Sequence, residues 1–305
     1  MCTGRNITGL VCVVLVCLIC LWLPGCISEQ APPVVYESHF TLWQLPSNTY
    51  SQMMSYVLQT QNGQLIVIDG GTAGDACYLR GFLGALGNDV EAWFISHPHP
   101  DHVDALTKIL RQAGDLRINA IYGSLPQEHW VEEHEPAYLE SLTEMNKALR
   151  ESSQEVTEVV AGEVIKIDGI RIEVLSAKNP EITNNAINNS SVVLKVSDTH
   201  KSVLFTGDLG VEGGRKLLDS PYGKRLKADY VQMAHHGQNG VDESFYRAVQ
   251  PRYCLWPTPE WLWNNDSGSG PNSGPWKTME VREWMDMLGV TKHYVSASGL
   301  YKIGL

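Results

Sequence analysis

The chain reads as an α/β sandwich, two sheets with helices on their outer faces. Three observations predict it. Short apolar or alternating runs bounded by Gly, Asn and Asp recur as strands in two successive series. Segments with apolar residues at helical spacing flank each series. The composition is that of an ordinary globular chain, with 305 residues, 43% of them apolar and 19% charged, and no bias toward disorder, collagen or coiled coil.

In the first series, residues 38–43, 55–60 and 64–69 are read as strands. The last two are joined through Gln61-Asn62-Gly63, a hairpin signal. A helix over 76–86, an apolar strand over 91–96, a helix over 103–112 and a strand over 117–122 follow. Residues 124–155 are acidic and polar, with a helix over 137–150; the acids Glu132, Glu133 and Glu135 read as a solvated face. The second series has strands over 163–167, 170–175, 191–196 and 202–206. Asp168-Gly169 turns the first pair and residues 198–201 the second. A helix over 214–218, a strand over 229–233, a helix over 243–249 and a strand over 253–256 come next. A helix over 277–288 and a strand over 292–296 close the chain. Between them, residues 255–277 are rich in Gly, Pro and Trp and read as a long loop.

Charge and cysteine bound the setting. Against 23 Lys and Arg stand 34 Asp and Glu, a net charge of −11, which argues against a protein whose main task is to coat nucleic acid. Five of the seven cysteines, Cys2, Cys12, Cys17, Cys20 and Cys26, lie in the first 26 residues, so they do not form a disulfide framework. A single cation, Arg5, precedes a charge-free run over 10–23, short for a bilayer span and suited to a signal-peptide core. It ends in Leu23-Pro24-Gly25-Cys26, which resembles a bacterial lipobox, with Pro24 a departure from the usual pattern. The expected organisation is therefore a signal segment or membrane anchor over 1–26, a tether over 27–36 and one domain over 37–305. The domain faces the outside of a bacterial membrane, anchored through lipid on Cys26 or secreted. Loss of the signal removes Arg5 and no acid, taking the net charge to −12.

The chemistry concentrates where the strand over 91–96 meets a helix. There the chain reads His97-Pro98-His99-Pro100-Asp101-His102. Two histidines at i and i+2 in extended backbone point the same way. The prolines stiffen the loop, and Asp101 and His102 begin the helix and turn toward the same pocket. Three imidazoles and a carboxylate in six residues suit two adjacent cations; in a solvated loop or a core they would repel when protonated and gain nothing.

This segment matches the H-x-H-x-D-H signature of the metallo-β-lactamase superfamily, and the chain resembles that family over about residues 38–300. The strand run ending at Asp69 resembles its first motif, whose acid orients the ligands. Leu204-Phe205-Thr206-Gly207-Asp208 resembles the motif of the metal-bridging Asp, and Ala234-His235-His236-Gly237 the last His motif. The resemblance implies a four-layer αββα sandwich of two mixed sheets packed face to face. It implies His97 and His99 at one metal, Asp101 and His102 at the other, and Asp208 between them. One of His235 and His236 completes the second site, with His236 the preferred ligand and His235 free to donate to a substrate oxyanion. Asp69 is expected to orient the ligands from behind. Residues 188–194, the Asp208 motif and residues 226–237 together resemble the hydrolase domain of the bacterial DNA-uptake channel protein, and are also similar to the pneumococcal-type phosphorylcholine esterase. One departure is clear. The further histidine that most members place between the first cluster and the bridging Asp has no counterpart at a strand end here; only His129, His134 and His200 lie in that interval. Two divalent cations are expected, zinc first, with manganese the alternative because oxygen ligands suit it.

Two such cations lower the pKa of a shared water, make hydroxide available near neutral pH and stabilise charge on an attacked carbonyl or phosphoryl group; Asp101 is placed to orient that hydroxide. The expected function is thus metal-dependent hydrolysis, of a phosphodiester by the narrower resemblance. A lactone, thioester or β-lactam is the alternative substrate on this scaffold, and a non-catalytic binding lipoprotein a third reading, against which the intact His97–Asp208 set counts. Five of nine tryptophans fall between Trp256 and Trp284, and Trp261 and Trp263 are candidates to stack on a substrate ring or cage a quaternary ammonium.

Overall fold

In a computed structural model, residues 40–305 are described; the signal segment and tether read over 1–36 lie outside them. Among the described residues, fifteen strands appear in chain order: β1 Phe40–Gln44, β2 Ser55–Thr60, β3 Leu65–Asp69, β4 Asp89–Phe94, β5 Arg117–Ile118, β6 Ile121–Gly123, β7 Val156–Glu158, β8 Val164–Ile167, β9 Ile170–Ser176, β10 Val193–Ser197, β11 Ser202–Phe205, β12 Tyr230–Gln232, β13 Tyr253–Trp256, β14 Lys292–Val295 and β15 Tyr301–Gly304. The helices are α1 Ala76–Ala85, α2 Pro100–Arg111, α3 Glu128–His134, α4 Leu139–Glu151, α5 Ala186–Asn189, α6 Val211–Asp219, α7 Glu243–Val249, α8 Glu260–Trp263 and α9 Thr278–Met287.

The strands form two mixed sheets. The first has the order β15-β1-β2-β3-β4-β6-β7, with β5 paired beside β4. The second runs β14-β13-β12-β11-β10-β9-β8. Period-2 side-chain alternation explains why they stack as inner layers. In β3, Leu65 and Val67 pack outward with residues of α1, α2 and α4, while Ile66 and Ile68 pack inward with Leu194 and Phe205 of the second sheet. In β11, Val203 and Phe205 face the first sheet, and Leu204 packs with Leu217 of α6 and Phe245 of α7. Three apolar cores, helix on sheet, sheet on sheet and sheet on helix, make the αββα order.

Several sequence expectations need correction. The chain does not close on the strand at 292: β15 follows and pairs antiparallel with β1, Thr41 opposite Gly304. Its pairing partner lies far away in sequence, so no local pattern announces it. The strand read over 117–122 is two short strands on either side of Asn119-Ala120. The polar stretch 124–155 holds α3 besides α4 and is followed by β7, and the loop 255–277 holds α8. Cys77 is exposed and Cys254 is buried, and both are free thiols. Among the described residues no helix is long and apolar enough to cross a membrane.

Candidate metal centre

Parallel pairing brings four strand ends to one edge of the sandwich. β3 and β4 are parallel neighbours in one sheet, β11 and β12 in the other, so the segments that leave their carboxyl ends emerge together. β3 ends on Asp69, in left-handed backbone at φ 55°. β4 runs through Ser96 into His97 and His99. His99 caps α2 with extended backbone, Pro100 occupies the first helical position and Asp101 lies in the first turn. β11 leads through Gly207 to Asp208; a Cβ on Gly207 would stand 2.9 Å from Ser96 Cβ and Ser191 Oγ, so only glycine lets these loops approach. β12 leads to His235 and His236, both left-handed at φ 50° and 55°. Each such residue costs on the order of 1 kcal/mol or more, which the surrounding packing must hold. Hydrogen bonds from Val192 N to Ser96 O (2.8 Å) and from His235 N to Gly207 O (3.1 Å) tie these segments together.

The side chains meet around Asp208. His102 Nε2 lies 3.3 Å, His236 Nε2 3.4 Å, His97 Nε2 3.8 Å and His235 Nε2 3.9 Å from its Oδ2. His236 Nε2 is also 3.2 Å from Asp101 Oδ2. Two donor sets result, His97, His99 and Asp208 on one side, and Asp101, His102, Asp208 and His236 on the other. The spacing suits chelation. Two nitrogens bound to one tetrahedral cation at about 2.0–2.1 Å stand about 3.3 Å apart. His97 Nε2 and His99 Nδ1 are 3.1 Å apart, and His102 Nε2 and His236 Nε2 3.3 Å. Asp208 Oδ1 is buried and has no hydrogen-bond partner, as expected of an oxygen kept for a cation. The residues therefore fit two divalent ions.

Hydrogen bonds behind the cluster set which nitrogen faces inward. Asp69 accepts from Ser96 N (2.7 Å), from Ser96 Oγ (2.6 Å) and from His102 Nδ1 (2.7 Å), leaving His102 Nε2 for the centre. His97 Nδ1 meets Ser96 Oγ at 2.9 Å, and His236 Nδ1 donates to Pro257 O at 2.8 Å. Asp101 Oδ2 accepts from Gln52 Nε2 (3.0 Å), whose Oε1 accepts from Gln238 Nε2 (2.9 Å). Ser191 Oγ accepts from Asp208 N at 3.1 Å.

Charge follows from this enclosure. Burial pushes the His97 imidazolium down, and neighbouring His102 adds to that, so His97 favours its neutral, ligating form. Burial also opposes a charged His236, but Asp208 and the bond to Asp101 outweigh it and raise its pKa to about 9. For Asp208, burial favours the neutral acid, yet His236 and His102 overcome it and hold the carboxyl well below its ordinary range.

Every residue expected at the centre from the sequence, His97, His99, Asp101, His102, Asp208 and His236, is drawn together. Asp69 sits behind them, and His235 stands at the rim with a fifth of its side chain exposed. The two tryptophans separate. Trp261 packs against Trp276 with the rings tilted and donates from Nε1 to Tyr50 O (3.0 Å), lining a cavity of about 370 Å³ with Tyr50 and Pro259. Trp263 is taken up in packing, edge-on to Trp256 with the Arg282 guanidinium 3.9 Å over its ring. Gln52 and Gln238 carry no sequence signal of this role; Ser96 adjoins His97 at the strand end, and Ser191 lies within the 188–194 motif. Glu135, read as part of a solvated face, instead caps α5 through Ala186 N (2.8 Å) and approaches His99. His129 and His134 stay outside both donor sets.

Such a donor set at the carboxyl ends of a two-sheet sandwich defines a metal-dependent hydrolase with a His/Asp metal site. The chain belongs to the metallo-β-lactamase superfamily, whose sequence profile matches residues 51–250. It is 28% identical over 176 residues to ComE operon protein 3 of Bacillus subtilis (strain 168), covering 57% of this chain and 21% of that protein. It is 30% identical over 232 residues to the uncharacterized protein YcaI of Escherichia coli (strain K12), covering 71% and 26%. The chain thus spans about a quarter or less of the length of these curated relatives. The structure of the metallo-β-lactamase fold protein YhfI from Bacillus subtilis superposes with a TM-score of 0.55 at 13% identity, over 87% of this chain and 100% of that one, a likeness of fold.

Proposed function

We propose that this protein is an exported hydrolase, held at a bacterial membrane through its N-terminal segment, that cleaves a phosphodiester. The supporting observation is Asp208, one buried carboxylate common to both donor sets. Two bound cations, zinc first and manganese as the alternative, would supply a hydroxide near neutral pH and stabilise negative charge on the attacked phosphoryl group. His97 and His99 would hold one ion, Asp101, His102 and His236 the other, with Asp208 common to both donor sets. Asp101, fixed by Gln52, orients the attacking oxygen. His235 donates to the developing oxyanion from the rim.

The phosphodiester preference rests on the resemblance of residues 188–194, Asp208 and 226–237 to the DNA-uptake hydrolase domain and phosphorylcholine esterase. The acid excess of the chain, 34 Asp and Glu against 23 Lys and Arg, favours a small substrate over long nucleic acid. Hydrolysis of a lactone, thioester or β-lactam is the competing reading, supported by the generality of the metal chemistry. Elemental analysis of purified protein, followed by assay with bis-p-nitrophenyl phosphate, phosphorylcholine esters and nitrocefin under zinc or manganese, tests both. Two ions per chain and phosphodiester cleavage are expected. Activity on nitrocefin alone overturns the substrate class, and absence of bound metal with no activity overturns the enzyme. Export and anchoring are tested by labelling with a fatty-acid analogue, which Cys26→Ser should abolish.

A further inference from the structure

The metal-facing histidines differ in what holds their outer nitrogen. His97, His102 and His236 each have it bonded, to Ser96 Oγ, Asp69 and Pro257 O. His99 faces the centre with Nδ1, 3.1 Å from His97 Nε2, and its outer Nε2 is buried with no hydrogen-bond partner. One carboxylate stands opposite that nitrogen: Glu135 Oε2 at 3.7 Å, beyond hydrogen-bond range but too near for a water between. The same Oε2 accepts from Ile187 N at 3.2 Å, and Oε1 from Ala186 N at 2.8 Å. Three residues on, Tyr138 lies against the His99 ring with centroids 4.0 Å apart. Residues 135–138 therefore take His99 from its edge and its face, and neither donor set includes Glu135 itself.

We propose that Glu135 is a positioning residue of the metal centre: its carboxylate accepts the Nε2 proton of His99 and so commits Nδ1 to the cation. A short closure to about 2.9 Å completes the bond, the usual carboxylate–histidine–metal arrangement. Because Glu135 also caps α5, it joins the acidic insertion, the His97–His102 loop and the segment that leads to Ser191, which in turn accepts from Asp208 N.

The inference rests on the metal-centre reading above, and the test separates the two. Zinc and cobalt(II) are titrated into full-length wild type, Glu135→Gln and Glu135→Asp, with the metal-free thermal midpoint as the measure of the α5 cap. Nitrogen-15 histidine spectra of the wild type report the tautomer. The expected result is His99 protonated on Nε2, binding of one of the two cobalt ions weakened about 10–100-fold in E135Q with a changed visible spectrum, partial recovery in E135D, and little change in the metal-free midpoint. Wild-type cobalt binding and spectrum in E135Q overturn the assignment alone. So does a proton on Nδ1 of His99 in the wild type, a result that stands even if E135Q does not fold. Wild-type protein that takes up neither metal overturns the functional reading together with this one.

Discussion

The two sheets build their halves of the centre by opposite means. The first sheet supplies His97, His99, Asp101 and His102 from one six-residue segment, stiffened by Pro98 and Pro100 and free of left-handed residues. The second supplies Asp208 and His236 from two separate strand ends, each needing left-handed backbone at Gly207, His235, His236 and Gly237. Covalent neighbourhood and proline rigidity do in one half what strained backbone held by packing does in the other. The first half should tolerate local change, and the second should fail with its packing.

The strongest way to break the comparison is to remove the residue both halves use. Asp208→Ala should lose both ions by elemental analysis and lower kcat/KM by about 10³-fold or more, roughly 4 kcal/mol of transition-state stabilisation. Retention of either ion at wild-type affinity would separate the halves. Next comes Gly237→Ala. A Cβ there would sit 2.3 Å from the Trp256 ring, at φ +78°, so urea unfolding should show a loss of about 2–4 kcal/mol. Metal at the His236 side should fall with it while the His97–His99 pair still binds.

Proton competition sharpens the contrast. His236 has a pKa raised to about 9 against an ordinary 6.5. In the metal-free protein its contribution to stability is therefore complete below about 6.5 and lost as pH rises through 9. A cation must displace that proton, so affinity for the second ion should climb from pH 6.5 to 9 with proton release, read by calorimetry in buffers of different ionisation enthalpy. Affinity that stays flat across that window contradicts the assignment. The smallest effect is expected in the first half. Pro100→Ala, at the first position of α2, should cost about 0.5–1 kcal/mol in unfolding and leave metal content unchanged.

The same asymmetry governs what could be read in advance. The His97–His102 segment was legible because its chemistry is contiguous and its backbone is set by local rules. Asp208 and the two histidines at 235 and 236 were recognisable only as motifs at strand ends, and left-handed backbone at both histidines carries no sequence signal. Glu135 read as solvent-facing because its partners, His99 and the amides of α5, come from elsewhere in the chain. Gln52 reaches Asp101 from a loop with no pattern of its own. The inner and outer faces of β3 and β11 followed from alternation, whereas β15 and β7 owe their existence to partners rather than to propensity.

Strand β15 has a consequence for how the molecule is made. It pairs with β1 across roughly 260 residues of chain, and Leu305 N reaches back to Phe40 O at 3.0 Å. During synthesis the first four strands emerge early, yet β1 keeps an open edge until β15 arrives. A bare strand edge invites pairing with another copy, and so long a wait makes closure slow. The nascent chain is thus most exposed to misassembly at β1 in the interval before β15 appears, and a chaperone would matter most then.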